Sequence, residues 1–495
     1  MLVESKRRCP GHLGRVSAVL VLIVILHVFA SYWVCPSALR PRPSRDNIRD
    51  FRMQWCRLQR WRVDWEAILS PCAGSMRWDM RAAVRSQART NAHKSFVSKW
   101  ELQPAGHFSR FWIQSVDMNG RRKSSGGDTW RVYIRQGPAS LAPVVFDHDN
   151  GLYEVLVLVL EPGTYTTGIT LDYTLCNGLR DPPDKFFING TNQGLYVDYD
   201  NHILGDNFDD FINEPLGRKT AYKFTIPPQS GQGGYSAHCQ DKESCRRLTD
   251  TCGLSCRLLW DGHGRWVNNT WRPYSTAMLP KPSSRHNGYL LNIGDSNGRR
   301  FSKLASTSKL CTEVFRRCDR VVNWVYEHED NRPKIPKNQD FRQEVLLDQF
   351  SQLMSRKEFD EPSVFLFNLG THYALAVSFG QFQQLLTRIV DLVKASSKPQ
   401  MDIVWRGTTM LEREKLRFLS KKRFNTTLFR FHNNQRIQLY HTYSMDTMCK
   451  AGIKVLDMYP LSSSYPRGTT DNVHYDLEAF SPAVQALEIY YQHAR

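Results

Sequence analysis

From about residue 285 to the end, short apolar runs alternate with amphipathic stretches, and this alternation constrains the fold more than any other feature of the chain. Tyr289–Ile293, Val364–Phe367, Asp402–Trp405 and Ile453–Leu456 read as strands. Between them, 341–357 and 379–395 carry apolar residues at helical spacing, as in Phe382, Leu385, Leu386, Ile389 and Val393. Strand–helix alternation predicts a parallel sheet covered on both faces. In such sheets chemistry collects beyond the carboxyl ends of the strands. The first of those ends reads Leu290-Leu-Asn-Ile-Gly-Asp-Ser-Asn-Gly298.

The chain before this region has a different texture. From about residue 105 it is rich in strand signals: Trp130–Ile134, Tyr153–Leu160 and Thr164–Tyr173, with turns at Asp149-Asn-Gly151 and Pro162-Gly163. Closely spaced strands punctuated by turns predict a β-sandwich. Asp147, Asp149 and Asn150 read as a turn, because their spacing does not fit an EF-hand calcium loop. A linker follows, with Gly231-Gln-Gly-Gly234 and four closely spaced cysteines.

The compartment is read from the N-terminus and the cysteines. Residues 16–34 carry no formal charge and are long enough to span a bilayer, and Lys6, Arg7, Arg8 and Arg15 precede them. The expectation is an uncleaved signal anchor with the body of the chain in a lumen; cleavage near Ser31, giving a secreted protein, is the alternative. Ten cysteines lie beyond Cys35, an even number that reads as disulfides of open connectivity. The spacing of Cys239, Cys245, Cys252 and Cys256 lacks the knuckle of a zinc ribbon, so no metal is expected there. Sequons occur at Asn189, Asn268 and Asn425. The net charge of +18 would raise the question of nucleic acid, but a lumenal compartment contains none. With 41% hydrophobic and 23% charged residues, collagen-like and wholly disordered chains are excluded.

Two short patterns carry chemistry. A Ser on a strand-to-helix turn is exposed at the sheet edge, and Gly294 permits that turn; the backbone there, with the Ser296 amide, is a candidate oxyanion donor. A Ser hydroxyl needs an adjacent base. Only His474, among the fifteen His, has an Asp three residues before it, in Asp471-Asn-Val-His474. That spacing allows both side chains on one side of a turn, with Asp471 orienting the imidazole. Ser296 is then the nucleophile, His474 the general base and Asp471 its orienter.

Gly294-Asp-Ser296 with the late Asp471-x-x-His474 resembles the SGNH/GDSL-type PC-esterase domain. Together with the Asp147–Tyr153 and Glu161–Tyr165 turns, which resemble a filamin-type immunoglobulin-like repeat, and the Trp266 region, the chain resembles the neurexophilin and PC-esterase domain family over roughly 105–490. The organisation this implies is a cytosolic tail (1–15), a signal-anchor helix (16–34), a basic stem (35–104), a filamin-like sandwich (105–215), a Cys-rich linker (216–260) and an α/β/α SGNH-like hydrolase domain (261–495). The resemblance implies O-acyl transfer or ester hydrolysis on a glycan in the Golgi lumen, with an acceptor on a glycoprotein or glycolipid. No bound cofactor is expected; acyl transfer needs a donor, for which a compound such as acetyl-CoA is a candidate. Phe367-Asn-Leu-Gly-Thr-His372 resembles the family's middle block, so Asn368, Gly370 or His372 would supply a second oxyanion donor. Arg406 in Trp405-Arg-Gly407 is placed to pair a substrate carboxylate. A carbohydrate esterase and a catalytically inert neurexophilin-like binding protein are the alternatives.

Overall fold

A computed structural model of the chain describes residues 45–80, 87–183, 210–229, 233–282, 287–322, 342–396, 398–418 and 430–492. Its C-terminal half is built on a six-stranded sheet. Tyr289-Leu-Leu-Asn-Ile-Gly294 and Ser363-Val-Phe-Leu-Phe367 are buried along their whole length, as strands covered on both faces must be. Strands are numbered in chain order, with β1–β9 and the hairpin β11–β12 belonging to the sandwich described below. The parallel sheet then contains β10 (Leu258–Trp260), β13 (Tyr289–Gly294), β14 (Arg317–Val322), β15 (Ser363–Phe367), β16 (Met401–Arg406) and β17 (Lys454–Leu456), in the order β14-β13-β15-β16-β17-β10. All of its pairings are parallel. The chain leaves β13 outward to β14 and returns on the other side to β15, so a crevice opens between the ends of β13 and β15.

Alternate residues of each strand feed different layers. Leu291, Ile293, Phe365, Phe367 and Trp405 pack against the helices Gln343–Met354, Phe379–Ala395 and Asn434–Lys450. Leu290, Val364, Leu366 and Val404 pack against Ser296–Ala305 and Ser481–Tyr491. The helix Phe379–Ala395 starts where Ser378 and Gln381 form a capping box and ends as its apolar stripe runs out. The helix Asn434–Lys450 had no clear apolar period in the sequence. It buries Arg436, His441, Thr442 and Ser444 beside its apolar residues, and this polar filling hides its periodicity.

The sandwich pairs β1 (Phe96–Glu101), β2 (Phe108–Gln114), β6 (Leu152–Leu158) and β5 (Val144–Asp147) in one sheet. The other holds β3 (Thr129–Gln136), β4 (Ser140–Leu141), β7 (Gly163–Tyr173), β8 (Glu214–Pro215) and β9 (Tyr222–Ile226). The latter sheet continues through β4 into β11 (Gly264–Val267) and β12 (Thr270–Pro273), with Trp266 opposite Ser140. The sandwich therefore begins before residue 105 and draws its edge hairpin from beyond residue 261, while β10, from the expected linker, closes the parallel sheet. Asp149 and Gly151 have positive φ, and the Asp147 and Asn150 side chains accept from Asp149 N and Leu152 N, so this segment is a turn.

The N-terminal part differs from the solvated stem expected for it. Phe51, Trp55 and Leu58 recur at helical spacing in the helix Arg45–Trp61 and are buried against Phe108, Phe146 and Tyr274. Two arginines of this region are engaged as well: Arg57 of the helix lies over the Phe146 ring at 3.7 Å and pairs with Glu154 at 2.8 Å, and Arg62, just after the helix, pairs with the buried Asp457 at 3.0 Å. The disulfides are Cys56–Cys252, Cys72–Cys176, Cys239–Cys245, Cys256–Cys449 and Cys311–Cys318. The clustered cysteines thus pair as two thiols among themselves and two with distant parts of the chain, which staples the N-terminal helix and the helix Asn434–Lys450 to one segment.

The expected anchor at 16–34 lies outside the described residues, as do Asn189, Asn425 and most of 82–89. Among the described residues no helix is long and apolar enough to cross a membrane. In place of the anchored architecture expected, the described residues form a β-sandwich joined to a three-layer α/β/α domain, and no membrane-spanning helix is found among them. The first described helix, with Arg45, Arg49, Arg52, Arg57 and Arg60, is far too charged to span a bilayer.

Candidate active site

The buried strand β13 ends at Gly294, and Asp295 caps the helix Ser296–Ala305 by accepting from Asn297 N at 2.9 Å and Gly298 N at 3.1 Å. Ser296 is consequently the first residue of a helix at the edge of the crevice, 4% exposed, with its N–H among the groups left without an intrahelical acceptor. Gly294 and Gly298 admit the guanidinium of Arg406: a Cβ on either would stand 2.4 or 2.7 Å from Arg406 Nη2.

His474 arrives from the far end of the sequence. Its Nε2 lies 2.7 Å from Ser296 Oγ and its Nδ1 2.6 Å from Asp471 Oδ2. The other carboxylate oxygen, Asp471 Oδ1, accepts from Val473 N at 2.7 Å and His474 N at 2.8 Å. One aspartate thus closes the turn and orients the ring. Burial works against its charge, but the His474 ring and these two amides hold its carboxyl well below the usual carboxylate range. An ionised Asp471 accepts the Nδ1 proton, which leaves Nε2 free to take one from the Ser296 hydroxyl.

The helix bearing Ser296 also grips the loop bearing His474. Asn297 Nδ2 donates to Val473 O at 3.0 Å and to Thr409 Oγ1 at 3.0 Å, and Arg300 Nη1 donates to Tyr475 O at 3.0 Å, so two bonds straddle the histidine. Neither residue was singled out in the sequence, although Asn297 adjoins the nucleophile. Asn297→Ala is expected to slow labelling of Ser296 by a fluorophosphonate about 10- to 100-fold, because small displacements of a base are costly. Rescue of the rate by Asn297→Gln, together with an unaltered melting temperature in both variants, would identify positioning as the cause; an unchanged rate in Asn297→Ala would refute it.

A second clamp reaches the loop from the sandwich. Thr469 donates to Glu412 Oε2 through its N–H at 2.7 Å and its hydroxyl at 2.8 Å, and the same hydroxyl lies 2.7 Å from Asp471 O. Glu412 pairs with Arg135 of β3 and with Lys415. Burial alone would raise its pKa, but Arg135, Lys415 and the Thr469 N–H hold it down at about 2. A depressed carboxyl contributes stability that is present above the ordinary glutamate range and lost as pH falls through the folded value. Glu412→Gln is therefore expected to flatten the acid limb of the melting temperature between pH 4.5 and about 2, with a loss of about 3 kcal/mol at neutral pH. An acid limb parallel to that of the unsubstituted protein would contradict this.

The other expected site residues are placed as follows. Asn368 follows β15 across the crevice, but its Nδ2 donates to Arg406 O at 2.7 Å and to Thr408 Oγ1 at 3.1 Å, so both of its amide protons are committed. Gly370 has φ +78°, and a Cβ there would stand 2.4 Å from Asp295 Oδ2, the oxygen that accepts from Thr371 N at 3.0 Å. This segment therefore fastens the cap of the nucleophile helix. His372 is half-buried, and its ring stacks with that of His432 at 6.3 Å. Burial, with His372 and Arg413 adding, pushes His432 down to about 3, so it is neutral. Burial opposes the charge of Asp295, yet His372 and Arg406 lower its pKa.

Arg406 does not face a substrate. It is 1% exposed beneath the strand-to-helix turn, 5.5 Å over the Phe301 ring, and burial pushes it down to about 10. The sequence places it correctly at the end of β16, but the end of a strand says nothing about whether the side chain turns into the cleft or under the helix. Among the described residues, no cluster of three or more His, Cys, Asp or Glu could hold a metal ion.

These elements define an α/β/α domain with a Ser–His–Asp constellation at its topological crevice. No protein-family model matches the sequence. Solved structures similar to parts of it include a proposed acylhydrolase from Bacteroides fragilis, at 14% identity over 43% of this chain and 92% of that one, with a TM-score of 0.29. The filamin domain of Lin-41 is similar at 15% identity over 16% of this chain and 80% of that one, with a TM-score of 0.15. At such scores neither likeness carries an argument about this chain's chemistry.

Proposed function

We propose that the protein is a serine O-acyltransferase of the secretory pathway, in the Golgi lumen or secreted, that moves an acetyl group to a hydroxyl of a glycan, with sialic acid or a related sugar on a glycoprotein or glycolipid as acceptor. The observation that carries this reading is the continuous chain from Asp471 through His474 to Ser296, at 2.6 and 2.7 Å. Ser296 Oγ attacks the acyl carbonyl carbon of a donor such as acetyl-CoA while His474 Nε2 takes the hydroxyl proton. The Ser296 N–H at the helix start faces the oxyanion charge that develops. The tetrahedral adduct collapses, the donor's leaving group departs with the proton from His474, and Ser296 is acetylated. A sugar hydroxyl, losing its proton to His474, then attacks the ester and frees Ser296. With water in place of the sugar the same steps make a carbohydrate esterase, which is the second reading.

Five disulfides support an oxidising compartment. The net charge of +18 supports an anionic acceptor, and the resemblance of Gly294-Asp-Ser296 and Asp471-x-x-His474 to PC-esterase domains supports a glycan. Expression in cells is expected to raise O-acetyl sialic acid on surface glycans, read by mass spectrometry of the released sugars, and Ser296→Ala is expected not to. A fall with the unsubstituted protein would make it an esterase, and no change with either would refute the acceptor.

A further inference from the structure

Away from Ser296, an aromatic groove of about 530 Å³ lies between the β11–β12 hairpin, the loop with Tyr465 and Arg467, and the start of the helix Ser481–Tyr491. Its wall is built by register. Trp266 and Trp271 are cross-strand partners with rings 5.4 Å apart, and Trp266 continues onto Tyr465 at 5.1 Å. Two cations, Lys242 and Arg467, line the groove, and Arg467 lies over the Tyr465 ring at 5.3 Å and pairs with Asp476 at 3.2 Å and with Glu478. Ile489, on the rim, is 54% exposed. The surface is thus largely apolar, with Asn269, Thr270 and Gln485 as polar neighbours, which suits the apolar face and hydroxyls of a sugar.

The hairpin that forms the wall also carries an acceptor for a sugar. Asn268 and Asn269 both have positive φ, 48° and 59°, and Val267 pairs with Thr270, so the strands are joined by a tight two-residue turn. Asn268-Asn-Thr270 is a sequon, and all three residues are exposed. Asn269, Thr270 and Trp271 themselves line the groove. A two-residue turn has little freedom, so a glycan on Asn268 leaves the chain beside the aromatic wall.

We infer that Asn268 carries an N-linked glycan whose first N-acetylhexosamine residues lie over the Trp271–Tyr465 groove and cover it. This rests on the reading of a secretory compartment made above and goes beyond it. The co-reactant is a lipid-diphosphate-linked oligosaccharide. The Asn268 Nδ2 bond to the anomeric carbon forms, the bond from that carbon to the lipid diphosphate breaks with its electron pair leaving on the diphosphate, and one amide proton is lost to solvent. Trp266 and Tyr465 are 5% and 2% exposed, so the apolar groups left accessible are chiefly the half-buried Trp271 and the exposed Ile489; apolar patches are otherwise association surfaces, and a covalently tethered sugar occupies this one at an effective concentration no free ligand matches.

The test uses the full chain expressed through a secretory pathway, with occupancy at Asn268 and the disulfides read by peptide mass spectrometry. Hydroxyl-radical footprinting is then applied to the glycosylated protein, to the same folded protein after enzymatic deglycosylation, and to Asn268→Gln. The expected result is near-complete occupancy and a severalfold rise in oxidation of Trp271 on deglycosylation, matched by Asn268→Gln. Occupancy with Trp271 equally reactive in all three forms would overturn the cover, as would binding of a soluble oligosaccharide at Trp271 in the fully glycosylated protein. An unoccupied Asn268 in a chain with all five disulfides formed would overturn the inference while leaving the compartment reading intact. An unoccupied Asn268 with free thiols would remove both.

Discussion

Ser296→Ala and His474→Ala are each expected to lower acyl transfer by roughly 10⁴- to 10⁶-fold while leaving the melting temperature within a degree or so, because nucleophile and base act as one unit. Each of the two contacts is 2.7 Å or shorter, and neither side chain holds the fold. The carbonyls and amides of the loop are tied by Asn297, Arg300, Asp471 and Thr469. Asp471→Asn is expected to cost less than either, since Asn can still accept from Val473 N and His474 N. It loses the anionic partner of Nδ1, however, and with it the preferred tautomer. Turnover of an activated acetyl ester measures these losses without knowledge of the acceptor. A Ser296→Ala/His474→Ala double variant that loses much more than either single one would show that the two do not act together.

The largest effect on stability is expected at Arg436. This side chain is fully buried, and its guanidinium donates to Ala374 O at 2.9 Å, Leu179 O at 3.1 Å, Arg180 O at 2.6 Å, Val377 O at 3.1 Å and the Tyr440 hydroxyl at 2.6 Å, and pairs with Asp181 at 2.9 Å. It thereby joins the segment after β7 to the segment that follows the Asn368–His372 block. Arg436→Met keeps the length of the side chain but orphans these acceptors, at a cost of about 3–5 kcal/mol. That is a large share of the 5–15 kcal/mol typical of a domain. Arg436→Lys is expected to recover little, because an ammonium cannot reproduce a planar fork. Thermal melts of the three proteins check this, and a lysine variant melting with the unsubstituted protein would show that geometry is not what matters there.

Much of the α/β domain was legible in the sequence because its signals are local. A parallel strand buried on both faces must be mostly apolar, so β13 and β15 announced themselves, and β16 did through its Ile403-Val-Trp405 run; an amphipathic helix covering them must repeat near every third or fourth residue, so Phe379–Ala395 did too. The juxtaposition of Ser296, His474 and Asp471 was legible for a chemical reason: proton transfer would call for these residue types, and Asp471 and His474 are near neighbours in the chain. Parts whose meaning depends on distant partners were not legible. The helix Asn434–Lys450 looks polar until Arg436 meets the carbonyls of Leu179 and Val377. The arginines of 45–61 suggest a solvated stem until Phe51, Trp55 and Leu58 are seen against Phe146 and Tyr274.

By itself, then, the order of residues settled which side chains could do chemistry, since a Ser at a strand end and an Asp three before a His are chemical statements at short range. The fold alone decided what surrounds them. Only the tertiary structure turns Arg406 under Gly294 and Gly298 and away from the cleft, spends the Asn368 amide on Arg406 O and Thr408, and runs a line from Arg135 of the sandwich through Glu412 and Thr469 to the catalytic loop. The physical reason is that a charge or an amide takes its role from the partners within about 3 Å of it, and here those partners stand tens to hundreds of residues away along the chain.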